Sequence, residues 1–171
     1  MKILNNIIQA FKVPVPLIDR ILEVLALFML IALLVLTAVL YQQAPEQIPT
    51  KFDWNNEPTN WTEKEMYWRM GVFFILMMLL SAASAYNLKM VRLPVRLKSP
   101  VLGLQKMLVS RMCRWTTLCM GILWMAYLLN TSAFFLDIPF IAMILEKVSL
   151  LALFAILIYY SVKIWWVGRR F

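Results

Sequence analysis

Histidine is missing from the 171 residues, and cysteine occurs only twice, as Cys113 and Cys119. Zinc, haem and iron–sulfur centres draw mainly on those two side chains, so no metal and no cofactor is expected. The two cysteines are six apart, on different faces of any helix that holds both, which favours free thiols over a disulfide. Glycine is scarce too. Gly71, Gly103, Gly121 and Gly168 are too scattered to build a phosphate-cradling loop. There is no nucleophile elbow, Walker loop or paired-histidine motif. A general base would have to be Asp, Glu, Lys or Tyr, and no nucleophile–base pair is visible, so the chain is not expected to be an enzyme.

What the chain has is apolar length. Hydrophobic residues make up 63% of it and the mean hydropathy is +0.75, against about 45–50% apolar in soluble domains. Four stretches approach the roughly 20 residues needed to cross a bilayer core. They run over about 21–40, 70–88, 115–135 and 138–160. Pro139, in the first turn of the fourth with Asp137 before it, is tolerated there. Backbone groups in lipid must bond internally, so all four read as helices. The first is too long for a signal-peptide core, and Tyr41-Gln42-Gln43-Ala44 is a poor cleavage site. The expected fold is all-α: one membrane domain over 1–171, a four-transmembrane-helix bundle.

The 17 basic residues outnumber the nine acids and give a formal net charge of +8. They flank the apolar runs, so anionic lipid rather than nucleic acid is the expected counter-charge. Lys2, Lys12 and Arg20 precede the first helix. Lys89, Arg92, Arg96, Lys98, Lys106, Arg111 and Arg114 fill the segment 89–114 without an acid, and Lys163, Arg169 and Arg170 follow the fourth helix. The loop 41–69 instead mixes Lys51, Lys64 and Arg69 with five acids. The alternation places both termini and the 89–114 loop in the cytoplasm, with 41–69 outside.

Two flanking stripes are amphipathic. Ile3, Leu4, Ile7, Ile8 and Phe11 fall at helical spacing and predict an interfacial helix within 1–16, ended by Pro14 and Pro16. Val101, Leu104, Leu108 and Met112 predict a similar lead-in to the third helix, or else a surface for a partner or a specific lipid. Ser81, Ala85 and their small neighbours predict close helix packing, within the chain or between copies.

Charged residues inside apolar segments are functional candidates. Glu23 lies one turn into the first helix, at a depth similar to Arg20, Arg111 and Arg114, and is expected to form an interhelical ion pair. Glu146 and Lys147 are the other intramembrane charges. Counted from Ile138, Glu146 is about 12 Å deep at 1.5 Å per residue. If Trp165, Trp166, Arg169 and Arg170 mark the cytoplasmic end, it slides to the external interface.

The loop 41–69 is the most distinctive segment. Pro45, Ile48, Pro49, Lys51, Phe52, Trp54, Pro58, Trp61 and Lys64 follow one membrane helix and lead into the next. Three prolines stiffen it, and Ile48, Phe52, Trp54 and Trp61 are expected to pack on the outer helix ends. Asn60-Trp61-Thr62 also fits a glycosylation sequon. The order Pro45, Ile48, Pro49, Phe52, Pro58, Trp61, Lys64 resembles the domain of unknown function 1648, found in SdpI-like bacterial membrane proteins. Lys51 stands where that family often has histidine, and Asn56-Glu57 where it often has glycine. The resemblance implies the bacterial cytoplasmic (inner) membrane. It also implies a kinship with immunity proteins against a secreted toxin, some of which act in signalling. The function expected is a non-catalytic membrane protein working through a membrane protein partner or a homo-oligomer, as an immunity, signalling or accessory subunit. The alternative is a small ion or solute transporter or channel subunit using Glu146 or Glu23.

The topology is directly testable. Cysteines introduced at positions 51 and 98 should react with an impermeant reagent from opposite sides of the membrane, position 51 from outside. Labelling of both from one side would overturn the four-helix arrangement.

Overall fold

The structure is a computed structural model that describes residues 16–53, 57–87, 102–136 and 139–169. The side chains of Phe52, Leu102 and residues 134–143 are not among those described. The predicted interfacial helix before Pro16, the loop residue Trp54 and most of the basic segment 88–101 lie outside these residues.

Four helices are long and apolar enough to cross a membrane. Helix α1 spans Leu17–Gln43 and α2 Met66–Tyr86. Between them, β1 (Gln47–Phe52) and β2 (Pro58–Glu63) form an antiparallel hairpin. Helix α3 spans Leu102–Leu136 and α4 Pro139–Arg169. The four-helix architecture read from hydropathy is therefore present, and the structured outer loop is a two-stranded sheet. Helix α1 starts at Pro16, whose carbonyl accepts from Asp19 N–H, and stops where Ala44 turns extended before Pro45.

Two boundaries need correction. Helix α3 begins at Leu102 rather than near Trp115, so Lys106, Arg111 and Arg114 are helical and not part of a loop. The stripe Leu108–Met112 is not a membrane-surface lead-in either. Leu108, Val109, Met112 and Cys113 form a core with Tyr160, Ile164 and Val167 of α4. At 1.5 Å per residue α3 extends for about 52 Å and α4 for about 46 Å, so both outreach a hydrocarbon core of about 30 Å.

Helix α3 is the centre of the bundle. It contacts α1, α2, α4 and β1, whereas α1 and α2 pack on α3 more than on each other. Its apolar window is 56% buried against 17–22% for the other three, and its hydropathy is the lowest of the four at 1.3. The two facts have one cause. A helix surrounded by protein can carry polar side chains that find partners, whereas one facing lipid cannot. The buried hydroxyls of Thr37, Thr117 and Thr131 each donate to a carbonyl of their own helix. Ser81 donates to the carbonyl of Cys113 at 2.9 Å, and Ser110 to that of Ala85 at 2.6 Å. The small residues of α2 thus make an internal contact with α3. Cys113 and Cys119 are both free and buried.

Aromatic residues mark two levels. At the hairpin end Tyr41 meets Trp68 at 6.1 Å, with Lys64 Nζ 5.2 Å from the Tyr41 ring. At the end of α4, Arg169 stacks 4.3 Å from the Trp165 ring and Lys163 bonds Tyr159 at 3.1 Å. These amphipathic clusters are what membrane–water interfaces select.

Gly71 sets the approach of α2 to α3. A Cβ there would stand 3.3 Å from Cζ2 of Trp124, which is fully buried and stacks on Phe74 at 6.1 Å and 6°. Gly71→Leu should lower unfolding stability in detergent by about 1–3 kcal/mol through overpacking. Gly103→Ala, in open space, should stay within about 0.5 kcal/mol. Equal effects at the two positions would refute the close approach.

Candidate functional site

Of the intramembrane charges, Glu23 falls at the end of the bundle opposite the loop residues, whereas Glu146 falls at the loop end, bonded to Asn130 of α3. At one end the hairpin register pairs Gln47 with Glu63, Ile48 with Thr62, Pro49 with Trp61, Lys51 with Asn60 and Phe52 with Pro58. Proline cannot donate to a ladder, and the register shifts between Pro49 and Lys51 and again before Phe52, where bulges accommodate it. Asp53 closes the turn, its Oδ1 accepting from Glu57 N–H at 2.8 Å. Lys64 N–H donates to the Glu46 carbonyl and ties the hairpin base together.

One residue anchors this hairpin. Ile48 is fully buried in a cluster with Leu40, Ala44, Tyr67, Trp124 and Leu128. Burying one such side chain contributes about 1.5–3 kcal/mol. Pro49 beside it is also fully buried. The expectation that Trp61 packs on the helix ends is corrected: it remains 42% exposed, on β2, whereas Ile48 of β1 fills the core. Pro45, Lys51 and Asn60 are exposed as well, Asn60 bonding Thr50 at 3.3 Å. The loop residues are thus brought together as a sheet with Ile48 and Pro49 inward and Lys51 and Trp61 outward.

Glu146 and Lys147 lie near the start of α4 and are exposed. Glu146 Oε2 accepts from Asn130 Nδ2 at 2.9 Å, so the carboxylate caps a buried amide of α3. It is 17 residues, or about 25 Å, from Lys163, which sets it toward the opposite interface from Trp165 and Arg169. The interfacial of the two depths left open by the sequence is the one this spacing favours.

The other end holds the charges that matter for packing. Arg114 Nε donates to Glu23 Oε1 at 2.7 Å, and Arg111 Nε to Asp19 Oδ1 at 2.8 Å. Arg114 Nη1 lies 4.0 Å from Asp19 Oδ2 and bonds Ser110 Oγ at 2.6 Å. Tyr86 donates its hydroxyl to Glu23 Oε1, and its ring lies 5.4 Å from the Arg114 guanidinium. Two carboxylates of α1 therefore face two guanidiniums of α3, with Tyr86 of α2 closing the group. The Arg114 and Asp19 side chains are only 6% and 2% exposed, against 32% for Glu23. The ion pair expected of Glu23 is present, and Arg20 is exposed outside it.

Asp19 escaped the sequence reading, although it is among the most buried charges. The usable signal was spacing: Asp19 and Glu23 are i,i+4 on one helix, Arg111 and Arg114 are i,i+3 on another, so each pair shares a face. A cavity of about 210 Å³ opens beside Glu23, Tyr86 and Arg114, its remaining wall apolar except for Thr117. Among the described residues no group of three or more acids, cysteines or histidines is placed to hold a metal.

No curated protein and no solved structure matches the chain. Residues 28–80 match the family model of DUF1648, a domain of unknown function. That span takes in most of α1, the whole hairpin and most of α2, and leaves out α3, α4 and the charged cluster. The segment carrying the hairpin is thus similar to DUF1648 and sits in a chain whose four long helices are apolar enough to cross a membrane.

Proposed function

We propose that this protein is a non-catalytic, multi-pass membrane subunit that works by presenting its hairpin to a protein partner, in an immunity, signalling or accessory role. The observation that carries the reading is the two-sidedness of the hairpin. Ile48 and Pro49 fix it to the bundle, while Lys51 and the half-exposed Trp61 face outward. A two-stranded sheet anchored through β1, with β2 mostly exposed, offers a strand that an extended segment of another protein can join. Exposed aromatic and basic residues are what binding hot spots select. The resemblance to SdpI-like proteins supports the same reading, together with the bacterial inner membrane, cytoplasmic termini and anionic lipid against the basic segment 89–114. No nucleophile–base pair supports an enzyme.

The transporter reading rests on Glu146 and Glu23, and the geometry favours it less. Both carboxylates already accept hydrogen bonds from their own chain, Glu146 from Asn130 and Glu23 from Arg114 and Tyr86. A carboxylate that caps a neighbour has a packing reason for its position.

Photo-crosslinking in cells separates the two. A crosslinker at position 61 or 51 should give one discrete protein adduct, and at position 17, on the far end of α1, should not give it. The Lys51 adduct should fall about tenfold in Trp61→Ala, as loss of a hot spot of about 1.4 kcal/mol or more requires. Absence of any adduct would sink the partner reading. An ion flux in reconstituted vesicles that Glu146→Gln abolishes, without loss of folding, would establish the transporter reading instead.

A further inference from the structure

We propose that the cavity between α1, α2 and α3 is a lipid site, holding a segment of one acyl chain of a phospholipid whose primary-ammonium head group pairs with Glu23. The inference does not depend on the partner reading, because it concerns the opposite end of the bundle.

The cavity exists because α1 and α2 lean on α3 rather than on each other. Away from its polar end its walls are aliphatic, with Ala26, Leu30, Met78 and Ala82 among them, except for Thr117, whose hydroxyl is already bonded to the Cys113 carbonyl. Ala26 and Ala82 keep it open, since a larger side chain at either would enter the space. Leu27 and Leu79 also line it and are 60% and 52% exposed, so its mouth faces sideways, where the bilayer is. At about 210 Å³ it is smaller than the roughly 300–1,000 Å³ of pockets that engulf a small molecule. It fits part of a longer chain whose remainder stays outside, and an acyl chain in a bilayer is such a chain.

The polar end determines the head group. Glu23 stands at the edge of the cavity with a side chain 32% exposed, and the bonds from Arg114 and Tyr86 both fall on Oε1. An ionised carboxylate accepts about four hydrogen bonds, so it retains capacity for a donor. Arg20, three residues earlier on the same helix, is exposed and joins none of the ion pairs among the described residues. Residues at i,i+3 are surface neighbours. An acid and a base side by side at the interface match a zwitterion: an ammonium on Glu23, and a phosphate on Arg20. A phosphatidylethanolamine head carries both. A phosphatidylglycerol head offers a hydroxyl but no cation, and a phosphatidylcholine head a cation with no N–H to donate.

The full chain should be reconstituted in nanodiscs containing equal parts of these three lipids, then released and weighed by native mass spectrometry. We expect one retained lipid per chain, with phosphatidylethanolamine favoured about tenfold, the factor one hydrogen bond to a charged acceptor supplies. Ala82→Phe, which fills the cavity from α2, should abolish retention while the melting temperature holds or rises. Ala26→Leu fills it from α1 and serves as the second variant should the first fail to fold. Equal retention of the three lipids, or no retained lipid on the wild-type chain, would overturn the proposal. So would retention at the wild-type level in a folded cavity-filled variant.

Discussion

A guanidinium cannot be left unpaired inside a protein that faces hydrocarbon. Arg114, buried in the central helix, is neutralised by Glu23 and, more distantly, by Asp19. The pairing constrains much else. It sets the rotation of α1 about its axis, because Asp19 and Glu23 must both turn inward, and it draws in the end of α2 through Tyr86 and the Ala85 carbonyl. Desolvating charges is costly, so such a cluster is weak evidence of net stability and strong evidence of register. Slipping α1 by one residue would rotate both carboxylates by about 100° and take them from the buried Arg114 and the half-buried Arg111. Apolar packing alone sets no such penalty, since the lipid-facing side of α1 is as aliphatic as the side that is buried.

The same logic explains the low hydropathy of α3. Its polar residues are affordable because its neighbours are protein, and each neighbour is held by a different set. The charges hold α1, the serine–carbonyl bonds hold α2, and an aliphatic face completed by Gln105, which donates to the Ile164 carbonyl at 3.2 Å, holds α4. The DUF1648 segment then has a plain physical meaning. The helix–hairpin–helix unit over 28–80 has its inner surfaces on a helix outside it, because Ile48, Tyr67 and Leu33 share one core with Trp124 and Leu128. Any host of this segment must supply a helix able to receive that surface.

Much of this was legible in the sequence. Hydropathy located α1 and α2 to within four residues at each end, and it found α3 and α4 but ended the latter nine residues early. That Glu23 would form an ion pair followed from its depth, which it shares with Arg20, Arg111 and Arg114, and the structure selects Arg114. What was not legible has identifiable causes. Helix α3 starts 13 residues earlier than its apolar run, because only one face of that stretch, with Leu108, Val109, Met112 and Cys113, is buried against α4, and the rest need not be apolar. The hairpin was hidden because Pro49 and Pro58 interrupt any strand pattern, and bulges break the alternation that would have announced it. Trp61 was misplaced because an aromatic residue in a loop signals burial only on average, and here Ile48 already fills the space. Asp19 was passed over because it precedes the apolar run, yet the burial that matters is lateral, against α3.

The account stands or falls on whether the carboxylates of α1 and the guanidiniums of α3 act as one unit. The direct measurement is a double-mutant cycle at Glu23 and Arg114, with unfolding free energies taken in one detergent for wild type, Glu23→Gln, Arg114→Gln and the double variant. Arg114→Gln alone should cost about 3–5 kcal/mol, because it leaves a charge of the group without its partner. Glu23→Gln, more exposed, should cost less. The double variant should be more stable than the sum predicts by about 0.5–3 kcal/mol. Strict additivity, or single costs within about 0.5 kcal/mol, would contradict the claim that this pairing sets the bundle.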